Sequence, residues 1–102
     1  MIHISIQDKI TELVRILKTH RVERAYLFGS VCTENFNDES DVDLLIAFDK
    51  KLRPIQRGAL HLDLYDELEK ALNRKVDLVT EDYLTNPYFI KVMNKTKTVL
   101  YE

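Results

Sequence analysis

Scarcity is the first informative property of this chain. A single cysteine, Cys32, among 102 residues excludes an intrachain disulfide and any zinc site built on several thiolates. Two glycines and two prolines leave no stretch that reads as a linker, and neither repeats nor low-complexity segments occur. No apolar run approaches the roughly 20 residues of a membrane span. The opening Met1-Ile2-His3-Ile4-Ser5 lacks the basic-then-apolar order of a signal peptide. Large net charge is missing too: −2 overall does not suit a protein whose main business is gripping nucleic acid. What is present, 45% apolar and 31% charged residues, points to one small cytoplasmic domain, residues 1–102, with a single core.

The apolar pattern predicts alternating helices and strands. Ile6, Ile10, Leu13, Val14 and Leu17 fall on one helical stripe, and Ser5 with Asp8 approximates a capping box, so a first helix is expected over Ser5–Thr19. Arg24–Phe28 reads as a strand ending in a turn at Gly29. The connection that follows has loop composition, with a short helix expected over Val31–Asn35. Asp41–Phe48 is the strongest strand, apolar on both faces from Leu44 onward, as expected of a strand covered on both sides. From Pro54, Leu60, Leu64, Leu68 and Leu72 recur every four residues, giving a second amphipathic helix of about 18 residues. Lys75–Thr80 is a third strand, Asn86-Pro87 an N-cap and first turn, and Thr98–Tyr101 a final edge strand. The fold class is therefore α/β (α+β), a small mixed sheet of about four strands packed with about four helices.

Topology gathers the polar residues at one place. The strands Asp41–Phe48 and Lys75–Thr80, joined by a helix, suit a right-handed parallel crossover, so both begin at the same end of the sheet. If Arg24–Phe28 runs antiparallel to its neighbour, Gly29-Ser30 arrives at that end as well. Asp41 and Asp43, at i and i+2 in a strand, point to one side with Cα atoms roughly 7 Å apart. Asp77 faces the same side by parity. Close carboxylates of this kind suit hard divalent cations. Two Mg²⁺ ions can bridge the attacking and leaving oxygens of a phosphoryl or nucleotidyl transfer, with a Gly-Ser turn donating hydrogen bonds to the phosphates and Asp77 helping to activate the acceptor hydroxyl.

Gly29-Ser30, ten residues, Asp41-Val42-Asp43 and later Val76-Asp77-Leu78-Val79 resemble the signature of nucleotidyltransferases related to DNA polymerase β. Length and the closing Asn86-Pro87-Tyr88-Phe89 resemble the minimal branch of that superfamily, called MNT. The resemblance covers nearly the whole chain. It implies the nucleotidyltransferase fold, Mg²⁺ on Asp41, Asp43 and Asp77, and the phosphates of ATP or another NTP at Gly29 and Ser30. It also implies a partner: members of this branch are often antitoxins of helical HEPN ribonuclease toxins, and some act by transferring AMP from ATP onto a toxin tyrosine.

One departure bears on activity. Many relatives continue Gly-Ser-x-Ala-Arg-Gly, whereas here Thr33 and Glu34 occupy the arginine and glycine positions. Lys50, Lys51, Arg53 and Arg74 are the candidate cations to replace that arginine. A different class of function follows if none does, an antitoxin acting by association alone with a vestigial nucleotide site. An antibiotic-modifying transferase fits less well, because 102 residues leave little room for an acceptor-binding domain. Among the remaining residues, Cys32 reads as small packing. His3, His20 and His61 share no ligand spacing. Tyr26, Tyr65 and Tyr83 read as core or pocket residues, and Tyr88, Phe89 and Met93 as core or a surface for a partner or a second copy.

Overall fold

Val42–Phe48 forms the central strand, β2, of the computed structural model, which describes the backbone of residues 1–102 and every side chain except that of Tyr83. Its alternation feeds two layers. Val42, Leu44, Ile46 and Phe48 enter one core, and Leu45 enters another on the opposite face. β2 pairs antiparallel with β1 (Val22–Phe28) and parallel with β3 (Val76–Thr80), while β4 (Thr98–Tyr101) pairs antiparallel with the outer side of β1. The four-stranded mixed order is β3-β2-β1-β4, with the expected parallel crossover between β2 and β3.

The crossover helix α3, Pro54–Leu72, starts where proline fits the first helical position and ends at Asn73 in the left-handed region (φ 52°). Its predicted stripe is the one that is buried: Leu64, Leu68 and Leu72 pack with Leu13, Ile16 and Leu17 of α2 (Ile10–Thr19) against the sheet. The other face carries one helix, α4 (Pro87–Thr96), capped as expected by Asn86 Oδ1, which accepts from the amides of Tyr88 and Phe89 at 2.9 and 3.3 Å. Met93 is its buried residue, joining Tyr26, Phe28 and Leu45. Tyr88 stays 76% exposed and Phe89, set edge-on to Phe28, 39%.

Two expectations need correction. The first helix is split into α1 (Ile4–Gln7) and α2, and Ser5 is not its cap. His3 takes that place: its backbone amide donates to the Val31 carbonyl at 2.7 Å, and its Nδ1 accepts from the Ser5 amide at 3.2 Å. His3 is anchored to the turn after β1, and the helix that starts there stops at Gln7 before α2 begins at Ile10; local spacing carries no trace of so distant a contact. The short helix after β1 is also earlier than expected, a 3₁₀ turn over Gly29–Cys32. Within it Cys32 is buried, as its packing role requires. Tyr83, grouped above with Tyr26 and Tyr65, lies outside the described side chains.

Candidate nucleotidyl-transfer site

Register brings the predicted acids to one edge. Asp43 is the ladder partner of Asp77 on β3 and of Phe28 on β1, so it sits between the Gly29 turn and Asp77. Adjacent strands lie about 4.8 Å apart and partners share a face, which sets Asp43 and Asp77 side by side. Asp41 lies just before β2 and is exposed. All three occupy the end at which the polypeptide leaves β1 and enters β2 and β3. The face is the one that carries Tyr26, Phe28, Leu45 and Val79, beneath α4.

Gly29 is required there twice over. Its φ of +74° lies in the left-handed region, and a Cβ at this position would run into the Asp43 carboxylate. The turn and the acid are thus in direct contact. Burial, then the neighbouring Asp77 and Asp41 charges, push the Asp43 carboxyl up to about 6 from an ordinary 3.8. Among the described residues no lysine, arginine or histidine pairs with any of the three aspartates. A concentrated, unpaired set of carboxylate oxygens fits a hard divalent cation such as Mg²⁺. The three side chains line the edge without closing on a common point. The described group whose donor atoms all fall within 4.8 Å of one another is a different one, His20, Asp63 and Glu67, at the opposite end of the sheet.

The phosphate side of the edge differs in detail from expectation. The Gly29 amide already donates to Thr96 Oγ1 at 2.9 Å, so the end of α4 holds the turn, and the Ser30 hydroxyl is the side-chain donor at hand. Thr33, at the departure from the usual pattern, closes the turn: its amide and hydroxyl both donate to the Ser30 carbonyl, at 2.9 and 2.8 Å. Glu34 points to solvent. Of the four candidate cations, Lys50, Lys51 and Arg53 follow the far end of β2, about 20 Å of strand away, and do not serve. Arg74 lies at the correct end. Its guanidinium sits 4.4 Å from the centre of the Phe36 ring and donates to the carbonyls of Asn37 and Ser40, each at 2.9 Å, pinning the loop that delivers Asp41.

Sequence reasoning missed Thr96 and Glu69, and named Tyr65 as a core or pocket residue without its partner. Thr96 anchors Gly29 from a distant helix. Glu69 on α3 accepts the first β3 amide, Val76 N–H, at 3.1 Å. Tyr65 bonds Glu69, and that bond, burial and the Glu69, Asp41 and Asp77 charges raise its pKa. A glutamate one helical turn after a tyrosine was the available signal. A cavity of about 640 Å³ lies at the far end, lined by Phe48, His61, Leu62 and Leu78. Its volume is not a guide to the chemistry, because none of the acids reaches it. A smaller one of about 350 Å³ adjoins Asp41, with Ser40, Arg74 and Lys75 on its walls.

A mixed sheet of this order and helix arrangement is the nucleotidyltransferase fold. Residues 11–102 match the family described as polymerase beta, nucleotidyltransferase. A protein of Methanocaldococcus jannaschii, provisionally named a protein adenylyltransferase, is 34% identical over 90 residues, covering 80% of this chain and 88% of its own length. A solved structure described provisionally as a minimal nucleotidyltransferase superposes with a TM-score of 0.74 at 26% identity, over 96% of this chain and 95% of its own. An MNT antitoxin complex with a tri-AMPylated Shewanella oneidensis HEPN toxin shares the fold, with a TM-score of 0.65 at 22% identity over 93% of this chain and 71% of that one. The chain belongs to the polymerase β-type nucleotidyltransferase family, as a minimal, protein adenylyltransferase-like enzyme. Among the described residues, no helix is long and apolar enough to cross a membrane.

Proposed function

We propose that residues 1–102 act as one minimal domain that moves AMP from ATP to a hydroxyl on a protein partner, a helical HEPN-type toxin. The observation that carries this reading is the register pair Asp43–Asp77 beside the Gly29 turn, with Asp41 at the entry to β2. Asp41, Asp43 and Asp77 would hold Mg²⁺, which when bound supplies charge neutralisation for the triphosphate and its leaving pyrophosphate. Ser30 donates to the phosphates from the turn that Thr96 and Thr33 fix. The acceptor oxygen bonds to the α-phosphorus, the bond to the β-phosphate oxygen breaks, and pyrophosphate leaves. Asp77, at the open end of β3, takes the acceptor proton. Thr33 supports the turn without supplying the cation found in many relatives, so neutralising the triphosphate falls to the metal.

The α4 surface favours a second role compatible with the first. Tyr88, Phe89 and Val92 stand exposed beside the acid edge, a surface suited to the protein acceptor. The deciding experiment incubates the protein with ATP, Mg²⁺ and its co-purifying partner, followed by intact mass of the partner. Gains of whole AMP units, lost with Asp41→Ala or Asp43→Ala, are expected. No gain, with association surviving both substitutions, would leave an antitoxin that works by binding alone.

A further inference from the structure

The cluster at the other end of the sheet is built differently from the aspartate edge. His20 follows α2 and stands two residues before β1, whose opposite end carries Gly29. It is 5% exposed. Its Nδ1 lies 2.7 Å from the Ile16 carbonyl oxygen, which can only accept, so Nδ1 carries a proton and donates. That contact is independent of the acids and leaves Nε2 as the nitrogen able to present a lone pair. Nε2 faces Asp63 Oδ2 at 2.8 Å and Glu67 Oε2 at 2.7 Å. Asp63 and Glu67 are one turn apart on α3, so both project from the same side of the helix. Their side chains are 68% and 49% exposed, which opens the cluster to solvent ions.

We propose that His20 Nε2, Asp63 and Glu67 form a site for a transition-metal dication of the zinc class, separate from the Mg²⁺ edge. One imidazole nitrogen and two carboxylates, with water in the fourth position, make a tetrahedral set. A backbone carbonyl on the remote ring nitrogen is the contact that fixes the tautomer of a metal-bound histidine. The nitrogen ligand selects against Mg²⁺, which prefers an all-oxygen shell. The ion takes the place of the Nε2 proton, which is released to solvent. Metal–ligand bonds of about 2.0–2.2 Å in a tetrahedral set need each carboxylate oxygen to retreat from Nε2 by roughly 0.6 Å, which their exposed ends allow. The bound ion ties the end of α2 to the middle of α3 and takes no part in transfer.

The test is a calorimetric titration of the metal-free protein carrying Asp43→Asn, which weakens the aspartate edge, with Zn²⁺ and separately with Mg²⁺. One equivalent of Zn²⁺ with a raised melting temperature is expected, and no comparable shift with Mg²⁺. Adding Glu67→Gln or Asp63→Asn, at solvent-facing positions that leave the core intact, lowers Zn²⁺ affinity by more than about 100-fold, because each removes an anionic ligand and even the outer partner of a metal-bound side chain is worth about 10- to 100-fold. Co²⁺ in place of Zn²⁺ gives the visible absorption of a four-coordinate site, and Glu67→Gln abolishes it. Zn²⁺ affinity unchanged by both carboxylate substitutions places the ion elsewhere, on His3 or His61, and overturns the proposal. Absence of Zn²⁺ binding leaves His20 as a protonated bridge between two acids and overturns it equally.

Discussion

The two faces of the sheet are built to different ends. Beneath α1, α2 and α3, side chains such as Leu13, Leu17, Leu44, Leu64 and Leu68 are wholly enclosed. Beneath α4 the buried set is Tyr26, Phe28, Leu45 and Met93, and the same face ends in Asp43 and Asp77. β2 serves both at once: its even-numbered residues fill the first layer, while Asp43 opens the second onto water. The packed face supplies the stability that lets three like charges be held together on the open one.

Substitutions on the packed face have the largest expected effect. Leu64→Ala removes a fully buried side chain from the α3 stripe and is expected to cost about 2–5 kcal/mol, read from denaturant midpoints. Met93→Ala on the open face should cost less than Leu64→Ala, because its exposed helix can settle onto the gap; an equal cost would remove the distinction between the faces. Arg74→Ala releases Phe36 and two loop carbonyls, and we expect about 1–2 kcal/mol lost together with about a tenfold fall in kcat/KM for the nucleotide. Arg74→Lys should rescue it only in part, since one ammonium can donate to both carbonyls, as Arg74 Nη1 alone does, but has no plane to lay over Phe36. Val92→Ser on α4 is expected to change stability by no more than about 0.5 kcal/mol while weakening partner association.

The difference between the faces also explains how much was legible beforehand. The packed face announces itself through periodicity, so the leucine stripe of α3 and the apolar run of β2 were readable residue by residue. The acid edge was readable because parity and a parallel crossover force Asp43 and Asp77 together. Contacts that join distant segments left no pattern. His3 took the Val31 carbonyl, Thr96 took the Gly29 amide, and Arg74 became the one candidate cation at the correct end. His20 looked isolated for the same reason. Its partners lie on another helix, where the Asp63/Glu67 spacing of one turn was visible but unattached to any histidine.

The proton affinity of Asp43 joins stability to function. Its folded carboxyl holds its proton to about 6, whereas the unfolded chain releases it near 3.8. Without metal, stability is therefore full below the lower value, falls as pH rises between the two, and stays reduced above. Asp43 is only half-buried, so solvent screening limits this cost to about 1–2 kcal/mol at neutral pH. The most direct measurement is the melting temperature of wild type and Asp43→Asn at pH 7, in chelator and then with Mg²⁺ plus a non-hydrolysable ATP analogue. Asp43→Asn should melt higher than wild type in chelator, while only the wild type gains from Mg²⁺ and nucleotide. A lower-melting Asp43→Asn, or an equal Mg²⁺-dependent gain in both proteins, would contradict a cation-binding edge held at the expense of stability.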